Sequence, residues 1–311
     1  MTFARIRVTA GALAFLVLAC SPALACKESA KESGKESGKE SERDSAPPSN
    51  PEPRGEVVRC AVIGGMMTTG FWPELARRFE QESGDKVEVV VSGPKRMLAP
   101  SMERGEADLI TMHASDTIVN LVADGHAMDA EPWARNDHII VGPKADPAAV
   151  RGMADAGEAM RKILAAKAPF VVHRGNGANE VLQGLMSDAK LSLDEATTLR
   201  LPDADNQENV LELASAKGAY SLVGRIPFKI GKMKGPGMEV MVEGDPRLRR
   251  PYLVAISNPK RWPGTHHAGA QRLSAFMRSP KTQAWIAEYG REKFGGNPPF
   301  SPVSVDGDPK P

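Results

Sequence analysis

Cysteine is scarce: the chain has three in 311 residues, and two of them, Cys20 and Cys26, precede residue 27. One thiol, Cys60, remains for the body of the chain, so no intrachain disulfide can form there. Its place in "VVRCAVIGG" is that of a small core residue. Neither sign of charge is in excess, with 40 Lys and Arg against 39 Asp and Glu, a net charge of +1. That balance excludes the basic footprint of a nucleic-acid binder. No HExxH, paired CxxC, GxSxG or P-loop occurs, and the six histidines are scattered. Nothing therefore points to a metal, a cofactor or an enzyme. The 14 methionines are dispersed as well, which excludes a thioether copper site. No apolar run is long enough to span a bilayer.

What is present begins with an export signal at residues 1–25: basic Arg5 and Arg7, an apolar stretch from Val8 to Ala19, then "SPALAC". Cys20 in "VLAC" and Cys26 in "ALAC" each follow Leu-Ala, a context that resembles the bacterial lipobox, whose cysteine is lipidated after cleavage. Either cysteine fits, and cleavage after Ala25 to give a soluble secreted product is the alternative. Residues 26–56 then repeat "KESG"-like units that decay into a proline-rich stretch. A helix there would stack lysines at i and i+4, and without apolar residues it would have no core, so the segment is expected to be a disordered tether. The expected location is periplasmic or at the cell surface, with the body held off a membrane by its N-terminus.

From Val57 onward strand-like and helix-like runs alternate. "VVRCAVIGG" precedes a helix with Phe71, Leu75, Ala76 and Phe79 at helical spacing and Gly84 as its stop; "KVEVVVSG", a "KRMLAPSMERG" segment that Pro100 would kink or break, and "ADLITMHA" follow. The rhythm continues through "HIIVGPK", "PFVVH", "AYSLVG", "MEVMVE" and "YLVAIS", and ends in a long helical run from Ala268. This order predicts mainly parallel sheet flanked by helices, in two α/β lobes because one sheet would be overfilled.

One turn stands out. "FVVHRGNGANEVLQGL" places "RGNGAN" between the end of a strand and the start of a helix, where open α/β sheets bind ligands. Gly175 and Gly177 let amides face inward, free amides at a helix start favour negative charge, and Arg174 offers a guanidinium fork. The other reading is structural: Asn176 or Asn179 caps the helix and the glycines shape the turn. Glu180, close to the helix start, would oppose an anion.

"WARNDHIIVGPKADPAAVRG", "ASAKGAYSLVGR" and "VEGDPRLRRPYLVAISNPKRWP" occur in that order. They resemble the tungstate-binding family of ABC-transporter solute-binding proteins, and "FEQESGDKVEVV" and "RGEADLITMHA" extend the likeness over roughly residues 57–302. The resemblance implies a two-lobed type II periplasmic-binding-protein-like fold, α/β, each lobe a mainly parallel sheet flanked by helices. Lobe 1 would take 57–141 plus 245–305, lobe 2 142–244, and 306–311 would form a tail. Arg174 matches the arginine after the family's "FVSR"-type strand, and Arg225 the arginine of its "TL-x-DR" segment. Where the family has hydroxyl-rich "TTTS", this chain has Gly64 and Gly65 followed by two methionines.

The expected site is thus Arg174 and Arg225 with amides of Gly64 and Gly65 and polar groups of Thr68, Thr69, Ser92 and Asn176, with Lys95 and Arg96 adding positive field. It would hold a small anion of tungstate or molybdate type, without catalysis, in a monomer that delivers it to an ABC permease. The other reading keeps the fold and makes the chain a lipoprotein sensor or scaffold with a degenerate anion site.

Overall fold

Near-continuous apolar runs become strands buried on both faces, and runs with a 3.6-residue period become the helices that cover them. The computed structural model describes residues 55–173, 177–201 and 208–303. The signal segment with Cys20 and Cys26, the tether as far as residue 54, Arg174, Asn176 and the tail lie outside the described residues.

The chain opens with β1 (Val57–Ile63), α1 (Gly64–Thr68), α2 (Phe71–Ser83), β2 (Lys86–Gly93), α3 (Lys95–Glu103), β3 (Leu109–His113) and α4 (Asp116–Ala123). β1 pairs in parallel with both β2 and β3, which buries Val58, Cys60, Ala61 and Val62 completely. The expected face of α2 is realised: Phe71, Leu75 and Phe79 are buried together with Trp72, each contributing about 1.5–3 kcal/mol by leaving water. Gly84 ends the helix at φ +75°, its amide donating to the carbonyl of Glu80. Pro100 does not break α3; the buried Leu98, Ala99, Ser101 and Met102 around it hold the helix through the missing donor.

A 17-residue strand, β4 (Ala127–Pro143), then carries the chain into the second half. There follow α5 (Ala156–Ala165), β5 (Phe170–His173), α6 (Gly177–Asp188), β6 (Thr198–Leu201), α7 (Glu208–Lys217), β7 (Tyr220–Gly224), α8 (Arg225–Lys229) and β8 (Met238–Val242). A 3-10 turn at Pro246–Leu248 leads into β9 (Arg249–Ser257), α9 (His267–Arg278), α10 (Pro280–Glu288) and the short β10 (Ser301–Pro302). The long helical run expected after Ala268 is two helices, because Ser279 caps the second through the amide of Thr282 and Pro280 occupies its first turn.

All ten strands join one sheet in the order β2-β1-β3-β9-β4-β7-β5-β6, with β8 and β10 also paired to β4. The outer pairs β1/β2, β1/β3, β5/β6 and β5/β7 are parallel, as βαβ crossovers require. The antiparallel pairs gather on the two strands that link the halves. β4 pairs with β9 from Ala127 to Asp137, then with β7 and β8 from His138 to Pro143. One apolar core packs around Phe71, Trp133 and Phe300 in the first half. Two more lie in the second, one centred on Met160, Phe170 and Leu185, the other on Val171, Leu211 and Val223. The fold is a mixed α/β architecture with a central sheet flanked by helices.

Candidate functional site

A cavity of about 460 Å³ opens where β4 and β9 pass between the halves. Its walls are the carboxyl ends of strands and the residues just beyond them: Ile63 at the end of β1, Pro94 after β2, His113 on β3 and Gly224 on β7. The amino ends of α3, with Lys95 and Arg96, and of α6, with Gly177 and Ala178, face it as well. Sheets of this kind bind ligands at this edge, and helix amino ends favour anions.

The floor comes from the crossing strands. Asn136 on β4 lies directly opposite Arg250 on β9, and Ala134 opposite Tyr252. With side chains alternating along a strand, Asn136 and His138 share one face of β4, and Arg250 and Tyr252 one face of β9. Arg250 is 7% exposed, and its Nη2 donates to the carbonyl of Ala114 (3.2 Å) and to the carboxylate of Glu180. Gly177 makes room for it, since a Cβ there would lie 1.6 Å from Nη1. The rings of His113 and Tyr252 pack against each other at a 32° tilt with centroids 4.3 Å apart, and His138 donates from Nδ1 to the carbonyl of Leu248 (3.3 Å).

Burial governs the protonation states. It pushes the His113 imidazole well below its usual range, with Arg250, His138 and Lys95 acting in the same sense, and lowers His138 to about 4, again helped by Arg250. Both rings are therefore neutral near pH 7, and the positive charge of the cavity resides on Lys95, Arg96, Lys232 and Arg250. Lys95 is itself lowered, by burial first and then by Arg250, with Glu180 and Asp116 opposing. No carboxylate is found among the described residues that line the cavity. This arrangement can hold an anion by charge and hydrogen bonding.

Of the residues expected from the sequence, Gly65 and Thr68 line the cavity, as do Lys95 and Arg96. Gly64 packs its backbone against Gly93, where an added Cβ would sit 3.5 Å from that residue's Cα. Thr69 is buried and donates its hydroxyl to the carbonyls of Gly65 (2.9 Å) and Met66 (3.2 Å), so it closes α1 instead of reaching a guest. Ser92 lies in β2 beside Val62 and is not in the lining. Arg174 and Asn176, as noted, lie outside the described residues.

Arg225 requires a correction. Its guanidinium is buried and donates to three carbonyls, Pro298 (2.7 Å), Asn297 (3.0 Å) and Phe294 (3.1 Å), with Glu243 at 3.6 Å from Nε, and it does not line the cavity. It clasps the segment after α10 to the start of α8. Arg225→Ala is expected to cost about 2–3 kcal/mol of stability, seen as a lower melting temperature, while oxyanion affinity stays within about threefold, because what it leaves behind is unpaired carbonyls.

Arg250, Asn136, His113, His138, Tyr252 and Lys232 were not anticipated as site residues. For Arg250 the signal was in "RRPYLVAIS", whose burial alternates from Arg249 to Val254: an arginine in phase with Tyr252 and Val254 points inward and needs an anionic partner.

A family model described as bacterial extracellular solute-binding protein matches residues 61–292. The tungstate-binding protein TupA of Peptoclostridium acidaminophilum is 26% identical over 260 residues, covering 80% of this chain and 90% of the relative. Among solved structures, tungstate-binding TupA from Desulfovibrio alaskensis superposes with a TM-score of 0.67 at 25% identity, over 80% of this chain and all of the other. The tungstate ABC transporter structure from Geobacter sulfurreducens gives 0.61 at 25% identity, over 75% and 99%. Built on this fold, with its cationic cavity at the strand crossing, the chain belongs to the family of bacterial extracellular solute-binding proteins.

Proposed function

We propose that this chain is the extracytoplasmic receptor of an ABC importer and holds a small tetrahedral oxyanion, of tungstate or molybdate type, in the cavity at the strand crossing. The observation that carries this reading is the buried guanidinium of Arg250 beside Lys95 and Arg96, in a cavity whose described lining residues include no carboxylate. Tungstate, the ligand for which the related TupA proteins are named, points the same way. The role is capture and release without covalent chemistry. Closure of the two halves would exclude water and strengthen each charged contact. The chain would act as a monomer on an ABC permease, tethered by residues 26–56 to a lipid on Cys20 or Cys26. Among the described residues no helix is long and apolar enough to cross a membrane.

The test is a melting curve of the mature protein with tungstate, molybdate, sulfate and phosphate. A ligand at a hundred times its dissociation constant adds about 2.7 kcal/mol, a rise of roughly 5–10 °C for a domain of this size. Tungstate or molybdate is expected to give that rise. No shift with any of the four would favour the sensor or scaffold reading.

A further inference from the structure

Arg250 does not face the cavity with its charge uncompensated. Glu180, in the first turn of α6, places its carboxylate on Nη2 of the guanidinium. The two partners differ in environment: Arg250 is 7% exposed and Glu180 58%. The field of the carboxylate also reaches Lys95, the neighbouring cation of the lining. A guest bound to Arg250 from the cavity side therefore lies one guanidinium width from a fixed negative charge that is not part of the lining.

We propose that Glu180 sets the charge selectivity of the cavity, weakening a dianion more than a monoanion of the same shape. The inference rests on the oxyanion reading above and adds to it the residue that decides which guest charge is favoured. Coulomb repulsion scales with the charge of the guest, so whatever penalty a single negative charge suffers, a double one suffers twice in free energy and as the square in affinity. Because the carboxylate is largely in water, screening holds the penalty to about threefold per unit of guest charge, and so to about tenfold for a dianion. The same contact keeps the buried guanidinium paired when no guest is present, which gives the carboxylate a reason to be there despite its cost to binding.

Tungstate and perrhenate are both tetrahedral oxyanions and differ by one unit of charge. Titration calorimetry at low salt on the parent and on Glu180→Gln separates the effect of charge from that of shape. The variant is expected to bind tungstate about tenfold and perrhenate about threefold more tightly, and Glu180→Ala is expected to widen the ratio in the same way, since the lost charge is common to both. Equal gains for the two anions, an unchanged ratio, or weaker binding of both would overturn the inference and make Glu180 a positioning residue for Arg250. If neither the parent nor the variants bind either anion, the oxyanion reading itself fails and takes the inference with it.

Discussion

Replacing Arg250 with methionine is expected to weaken oxyanion binding at least a hundredfold while leaving the ligand-free protein as stable as the parent, or more so. The guanidinium is the most deeply buried cation of the cavity, and a charge-assisted hydrogen bond contributes about 1.5–3 kcal/mol, so losing two such bonds to the guest exceeds the 2.7 kcal/mol that a hundredfold represents. The fold loses little. Burial already lowers Arg250 from its usual value, with the charge of Glu180 and then Tyr252 opposing, and of its two acceptors among the described residues one is largely solvated and the other is a single carbonyl, that of Ala114. Methionine keeps the apolar stem and removes the desolvation cost. Calorimetry with tungstate and a melting curve without it check the two halves of the statement. Unchanged binding would take Arg250 out of the site, and a collapsed melting temperature would make it structural.

Asp108→Ala is expected to do the opposite, lowering stability by about 3–5 kcal/mol and the melting temperature by roughly 10 °C with affinity unchanged. Asp108 is fully buried just before β3, at the end of that strand away from the cavity. It accepts from the Arg59 amide (2.7 Å), Nε (3.1 Å) and Nη2 (2.7 Å) and from the His266 amide (2.9 Å). Burial alone would raise its carboxyl, but the bonds from Arg59 and His266 outweigh burial and hold it below the usual carboxylate range. A lowered folded value means that the contribution is fully present above the ordinary carboxylate range and is lost as pH falls through the folded value. The parent should therefore lose part of its margin over the variant in acid. Thermal melts of both proteins at pH 7 and pH 3 measure this; an equal gap at the two pH values would show that the ion pair is not its source.

Much of the architecture was legible because burial imposes its period on the sequence. β1 and β5 read as strands because they are short, nearly continuous runs of apolar and β-branched residues, broken only by Arg59 and His173, and α2 because its apolar residues recur at helical spacing. α4 was not legible: it is only eight residues long, and with Val119 and Val122 exposed beside the buried Ile118 and Leu121 its apolar arc does not mark the buried face. The first part of β4, from Ala127 to Arg135, was hidden for a similar reason, since Asp129, Glu131 and Pro132 interrupt the apolar pattern where register shifts fall against β9.

The site was legible in part. Gly177 at the start of α6 and the pair Lys95 and Arg96 at the start of α3 could be read locally, because each opens a helix soon after a strand. His113, His138 and Arg250 could not, because they come from β3, β4 and β9 and meet only through the antiparallel register of the crossing strands. Arg225 misled because a buried arginine in a family motif satisfies the same pattern whether its partners are a guest's oxygens or backbone carbonyls.

The pairing of β4 with β9 also carries the polarity of the whole receptor. Along β4 the order is Arg135, Asn136, Asp137, His138, and only the even-numbered pair lines the cavity. Sliding that strand by a single position would turn Asp137 inward beside Arg250 and neutralise the pocket from within. Whether such a protein welcomes or repels negative cargo is thus a matter of phase along one strand, which makes the crossing of β4 and β9, more than any loop around it, the place where a relative could acquire a taste for a different kind of ion.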